Sequence, residues 1–117
     1  MLIDSSVWIE LFEGSKKGEK AWKIISSNQC SISIISLTEI IKWCVKNKKE
    51  YKYRIEKIKQ ISTVINLNET ISKMAGDNKI NLRGIADSLI YSTARFYNLK
   101  LLTADNDFRN LSDVEMI

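Results

Sequence analysis

Five carboxylates, Asp4, Glu39, Asp87, Asp105 and Asp107, dominate the chemistry open to this chain. Histidine is absent, which excludes Ser-His-Asp and Cys-His mechanisms and the common His-ligated zinc sites. Catalysis must then rest on carboxylates, hydroxyls or amines. Carboxylates gathered at one place would repel and raise one another's pKa unless a divalent cation neutralised them. Hard oxygen donors without imidazole or thiolate select Mg²⁺ or Mn²⁺. Such ions lower the pKa of a bound water and clamp the oxygens around a scissile phosphate.

Each acid also has a plainer role. Asp4 precedes SSVWIEL, where an aspartate commonly caps a helix. Ser36 and Glu39 have capping-box spacing, and on a helical wheel Glu39 falls off the apolar stripe, near Lys46. Asp87 stands where a helix dipole favours an acid, yet Ala86, Ile90 and Ala94 surround it, and a carboxylate beside apolar surface needs a partner. Asp105 and Asp107 flank Asn106 in a sequence that makes a good Asx-type turn. Residue type alone leaves both roles open.

Whether the acids converge depends on the elements that carry them. Met1 to Asp4 reads as a short strand, and SSVWIELF as a helix. Gly14 and Gly18 bracket a loop, Lys20 to Ser27 is a second helix, and Ser31 to Ile35 a second strand. A helix opening at Ser36 places Leu37, Ile40, Ile41, Cys44 and Val45 on one apolar stripe. From about Glu50 to Gln60 the next helix turns Tyr51, Ile55 and Ile58 inward. Thr63 to Leu67 is a third strand, Glu69 to Asn78 a short helix and Ile85 to Tyr97 a stronger one. Lys100 to Thr103 and Val114 to Ile117 close the series as strands. Strands alternating with helices predict an α/β domain with a largely parallel sheet. Ligands bind such sheets at the carboxyl ends of the strands, which is where Asp4, Asp105 and Asp107 fall.

The 117 residues suit one domain, with 44% hydrophobic and 27% charged residues as in ordinary globular proteins. The N-terminal run MLIDSSVWIELF carries Asp4 and Glu10 and no basic segment, so it reads neither as a signal peptide nor as a membrane span; a cytoplasmic protein is expected. Cys30 and Cys44 are too few and isolated for a disulfide framework or zinc knuckle and read as reduced core residues. The charge is uneven: Lys42 to Lys59 carries a local net of +6 against a net of -2 for the rest. Such an arm, with Lys46, Lys49 and Lys52 among its cations, suits a phosphate-rich partner such as RNA, or is a solvated helical hairpin.

LIDSSVWIELF, SLTEI, GIADSLIYSTARFYNLKLLTADNDF and the closing strand together resemble, in order and spacing, a PIN domain of the VapC-like toxin group. The third block is the most specific. The resemblance implies a PIN-like three-layer α/β/α fold with four or five largely parallel strands in the order 3-2-1-4-5. It also implies a metal site made by Asp4, Glu39, Asp87 and Asp105, with Asp107 matching a more variable acid and Ser6 and Thr103 matching supporting hydroxyls. The implied activity is Mg²⁺- or Mn²⁺-dependent cleavage of single-stranded or looped RNA, with an antitoxin partner and a homodimeric assembly. None of the four principal acids departs from the pattern, whereas Lys42 to Lys59 matches least.

Other acid-bearing α/β proteins fit less well. A response-regulator receiver needs paired acids after the first strand and an aspartate after the third, and no acid ends TVINL. A haloacid-type phosphatase needs Asp-x-Asp-x-Thr where this chain has Asp4-Ser5-Ser6. A PIN domain serving RNA processing, or one that only binds RNA, remains as the alternative; metal dependence of cleavage separates an enzyme from a binder.

Overall fold

A computed structural model describes all 117 residues. Five short strands form one all-parallel sheet in the order β3-β2-β1-β4-β5, as the PIN resemblance implies. The strands are β1 (Leu2–Ile3), β2 (Ser31–Ser33), β3 (Thr63–Ile65), β4 (Leu101–Thr103) and β5 (Val114–Met116). The helices are α1 (Ser5–Glu13), α2 (Lys16–Ile25), α3 (Ile34–Lys46), α4 (Lys52–Ile61), α5 (Glu69–Asp77) and α6 (Ile85–Phe96), with a 3₁₀ turn at Asn106–Phe108.

Alternation along the strands divides the core. Neighbouring residues of a strand point to opposite faces, so Ile3 and Leu102 pack with Val7, Trp8, Ala21, Ile40 and Ile58 from α1 to α4. Leu2 and Leu101 pack with Ile90, Tyr91 and Ala94 of α6 and with Phe108. Helices therefore cover both faces of the sheet, and the central strand β1 is completely buried. Cys30 and Cys44 are free and buried, as expected of reduced core residues.

Several boundaries differ from the sequence expectation. Ser15 caps α2 by accepting from the Gly18 N–H at 3.0 Å, so the helix starts at Lys16 and Gly18 is a buried helical residue rather than the end of a loop. An ideal Cβ on Gly18 would lie 2.4 Å from the Glu10 carbonyl oxygen, which explains glycine there. The second strand stops at Ser33, whose hydroxyl accepts from the Ile35 N–H at 3.1 Å and caps α3. Ile34 and Ile35 are thus helical, and Ser36 is interior to the helix. Val45 is 63% exposed and Tyr51 37% exposed, so neither faces the core as the wheel predicted. The Glu50 carboxylate accepts from the Lys52 and Tyr53 N–H groups at 2.7 and 2.8 Å. It satisfies the open end of α4 from outside the helix.

Candidate metal centre

The topology carries four of the acids to the carboxyl ends of β1, β2 and β4, and the first turn of α6 delivers the fifth. Asp4 follows β1 directly, Glu39 lies in the second turn of α3 after β2, and Asp105 and Asp107 follow β4. Asp87 is the third residue of α6. Carboxylate oxygens of Asp87, Asp105 and Asp107 lie within 4.8 Å of one another. Asp4 and Glu39 are not in that trio, but both raise the pKa of Asp87, and Asp4 and Asp105 raise that of Glu39.

Asp4 has the backbone dihedrals of an N-cap residue yet makes no side-chain cap bond. Its Oδ2 instead accepts from Ser6 Oγ at 2.6 Å and from Thr103 Oγ1 at 2.8 Å. Only 3% of Asp4 is exposed. The two hydroxyls belong to a wider net: the Ala104 N–H donates to Ser6 Oγ, and the Asp105 N–H to Thr103 Oγ1, each at 3.0 Å. Ser6 and Thr103 therefore tie the acid of β1 to the turn after β4.

Glu39 also departs from the capping-box reading. Ser36 is inside α3 and its buried hydroxyl has no hydrogen-bond partner, while Glu39 Oε1 accepts from Ser5 Oγ at 2.9 Å. Asp105 fulfils its turn role, since its Oδ1 accepts from the Asp107 N–H at 2.9 Å. That same bond holds the two turn acids beside Asp87. Turn formation and cluster formation are compatible here.

The electrostatics are those of crowded anions. Burial first, then Asp105, Asp4, Glu39 and Asp107, push the Asp87 carboxyl up to about 6. Burial also raises the Asp4 pKa, opposed mainly by the Ser6 and Thr103 hydroxyls, and burial raises that of Glu39, opposed by Ser5. No lysine or arginine figures among the groups acting on these three acids. Such mutual repulsion, in a donor set of oxygens alone, fits a hard divalent ion.

Sequence reasoning singled out all five acids and both Ser6 and Thr103, and missed Ser5. Its signal was adjacency to Asp4 in the run DSS, since a helix entering just after a strand-end acid presents its first hydroxyls to that edge. The cavity between α5 and α6, about 410 Å³ and lined by Asn78, Tyr91 and Arg95, contains none of the five acids.

The PIN domain family model matches residues 1–114. No match is found among curated proteins. Among solved structures, a toxin-antitoxin complex from Klebsiella pneumoniae is similar at 24% identity and a TM-score of 0.80, covering 98% of this chain and 95% of that one. VapBC2 from Rickettsia felis, bound to a DNA fragment from its promoter, is similar at 18% identity and a TM-score of 0.77, covering 99% and 97%. VapC20 of Mycobacterium tuberculosis, a Sarcin-Ricin loop cleaving toxin, is similar at 14% identity and a TM-score of 0.76, covering 98% and 97%.

Proposed function

The chain belongs to the PIN domain family, and from that membership we propose that it is a metal-dependent endoribonuclease cutting single-stranded or looped RNA, the toxin of a toxin-antitoxin pair. One observation carries the catalytic reading: carboxylate oxygens of Asp87, Asp105 and Asp107 lie within 4.8 Å of one another, with Asp4 and Glu39 near enough to raise the Asp87 pKa. Asp87, Asp105 and Asp107 would hold the ion, with Asp4 and Glu39 beside them as further ligands, direct or through water. Bound there, Mg²⁺ or Mn²⁺ supplies electrophilic polarisation of the scissile phosphate and a water acidified toward neutral pH.

The chain's own residues prepare this site. Ser6 and Thr103 favour the charged form of Asp4 against the desolvation that opposes it. Ser5 holds Glu39 toward the same edge. With its pKa pushed to about 6, Asp87 is mostly ionised at neutral pH and can take a cation. The carboxylates of the set can accept the proton that an attacking water must lose. An antitoxin protein as inhibitor, supported by the likeness to toxin-antitoxin structures, and a homodimeric assembly, which only the family resemblance implies, complete the reading.

Cleavage of a single-stranded RNA by the purified chain tests this. Cleavage should require Mg²⁺ or Mn²⁺, stop with EDTA and disappear in Asp105→Asn. Cleavage that persists in EDTA, or RNA left intact with either metal, would overturn the proposal.

A further inference from the structure

The lysine-rich corner between α3 and α4 has no role in the acid site, and its chemistry can be read separately. Eight of the chain's basic residues lie between Lys42 and Lys59, against Glu50 and Glu56. Neither acid forms a salt bridge with Lys42, Lys46, Lys49 or Lys52, although Lys52 is near enough to help lower the Glu50 pKa. Glu50 is engaged by the Lys52 and Tyr53 N–H groups, which also hold its pKa below the usual range, and Glu56 pairs with Lys59. Lys42, Lys46, Lys49 and Lys52 are exposed and make no ion pair, and the Lys49 ammonium lies over the Trp43 ring at 5.8 Å from its centroid. Four cations without an ion-pair partner thus stand on a chain whose residues outside Lys42 to Lys59 carry a net of -2.

Helix geometry connects this corner to the acids. Lys46 lies seven residues after Glu39 on α3, two turns onward and on nearly the same face, about 10 Å along the axis. Lys42 lies between them on that side. A strand of phosphates leaving the acid edge along α3 therefore meets Lys42 and then Lys46 before reaching the corner.

The corner also displays an aromatic ring. Tyr53, in the first turn of α4, is 63% exposed, so its ring gains little from folding. Its backbone N–H is held by Glu50, which fixes the start of the helix that carries it. The Lys57 ammonium lies over one face of the Tyr53 ring, 5.3 Å from its centroid, so a base would stack on the opposite face of this exposed ring. Lysines that follow a backbone and an aromatic ring that stacks on an unpaired base are the two components of sequence-tolerant single-strand binding.

We propose that the α3–α4 corner is an RNA-docking surface distinct from the acid site, with Lys42, Lys46, Lys49 and Lys52 on backbone phosphates and Tyr53 stacked on an unpaired base. The choice of RNA as occupant rests on the nuclease reading. Single-stranded RNA is favoured because its bases are free to stack, which duplex bases are not.

Anisotropy of a labelled single-stranded oligoribonucleotide tests the surface on the full chain in EDTA, where no cleavage competes. Replacing Lys46, Lys49 and Lys52 together by glutamine should weaken binding roughly tenfold or more near 0.1 M salt. The slope of log Kd against log salt should fall by about 2, at about 0.7 for each lost phosphate contact. Tyr53→Ala should weaken binding about fivefold or more, while Tyr53→Phe, which keeps the ring, stays near wild type. With Mn²⁺ the lysine variant should show a raised KM and an unchanged kcat, and thermal melting should match wild type.

Unchanged affinity and salt slope in the lysine variant would overturn the docking surface, even where wild-type cleavage needs Mn²⁺ as expected. An arm that served an acidic protein instead would give that result. Absence of wild-type RNA binding in EDTA would overturn it too, and an unaffected Tyr53→Ala would remove the stacking contact. Arm-dependent binding without any Mn²⁺-dependent cleavage would uphold the surface and reject the nuclease reading.

Discussion

Thr103 donates its hydroxyl proton to Asp4 Oδ2 at 2.8 Å, joining residues 99 positions apart across the β1–β4 seam. Thr103 Oγ1 in turn accepts from the Asp105 N–H at 3.0 Å, so one fully buried hydroxyl aligns two acids. Thr103→Val keeps the shape and removes both bonds. The variant should lose about 1–3 kcal/mol of stability near neutral pH. The lost bond favours ionised Asp4, whose folded pKa burial has already raised. The deficit should therefore be larger near pH 8 than in acid, since the raised pKa of Asp4 favours its protonated form there. Thr103→Ser should recover most of it. Urea denaturation at the two pH values checks this, and an equal deficit at both would remove the electrostatic role.

Gly18 lets α2 approach α1 more closely than any side chain allows. A Cβ there would meet the Glu10 carbonyl oxygen at 2.4 Å and carbon at 2.8 Å, both backbone atoms. Gly18→Ala normally favours a helix. Here it should destabilise by about 1–3 kcal/mol, because one helix must move off the other. A raised melting temperature would show that the helices separate at no cost.

Ser33 and Ser36 differ in a way their spacing hides. Ser33 caps α3, whereas Ser36 is buried inside the helix with an unpartnered hydroxyl. Ser33→Ala should cost about 1 kcal/mol. Ser36→Ala removes an unsatisfied polar atom and adds helix propensity, so it should be neutral or stabilising by up to about 1 kcal/mol. Chemical denaturation of the two variants distinguishes them, and a larger loss at Ser36 would restore the capping box.

The element order and the strand-end positions of the acids were legible because apolar periodicity switches cleanly between strands and helices along this chain. The sheet order came from the PIN resemblance, since short strands such as Leu2–Ile3 carry no pairing information of their own. Boundaries were less legible where local signals competed. Ile34 and Ile35 have high β propensity, but the Ser33 cap takes them into a helix. Glu39 matched a local cap pattern while its actual partner, Ser5, comes from a different helix. At Asp105 the turn and cluster roles coincide, and a rule that sets one against the other fails.

Asp87 ties proton binding, stability and metal binding together. Its carboxyl is pushed from 3.8 up to about 6, by burial first and then by Asp105, Asp4, Glu39 and Asp107. An acid with a folded pKa above its unfolded value binds more protons when folded, so stability falls as pH rises through the window from about 4 to 6. Each unit corresponds to about 1.4 kcal/mol, and solvent reaching this half-buried group reduces the total cost near pH 7 to about 1–2 kcal/mol. Without metal, Asp87→Asn should remove that cost. Its melting temperature should exceed wild type near pH 7, match it near pH 4 and decline less between them. Mn²⁺ should reverse the order, because binding to the folded wild type adds stability by mass action that the variant lacks. Melting curves with and without Mn²⁺, beside an RNA cleavage assay, check both halves. A variant that is less stable than wild type near pH 7 in EDTA and still cleaves RNA would show that Asp87 is structural.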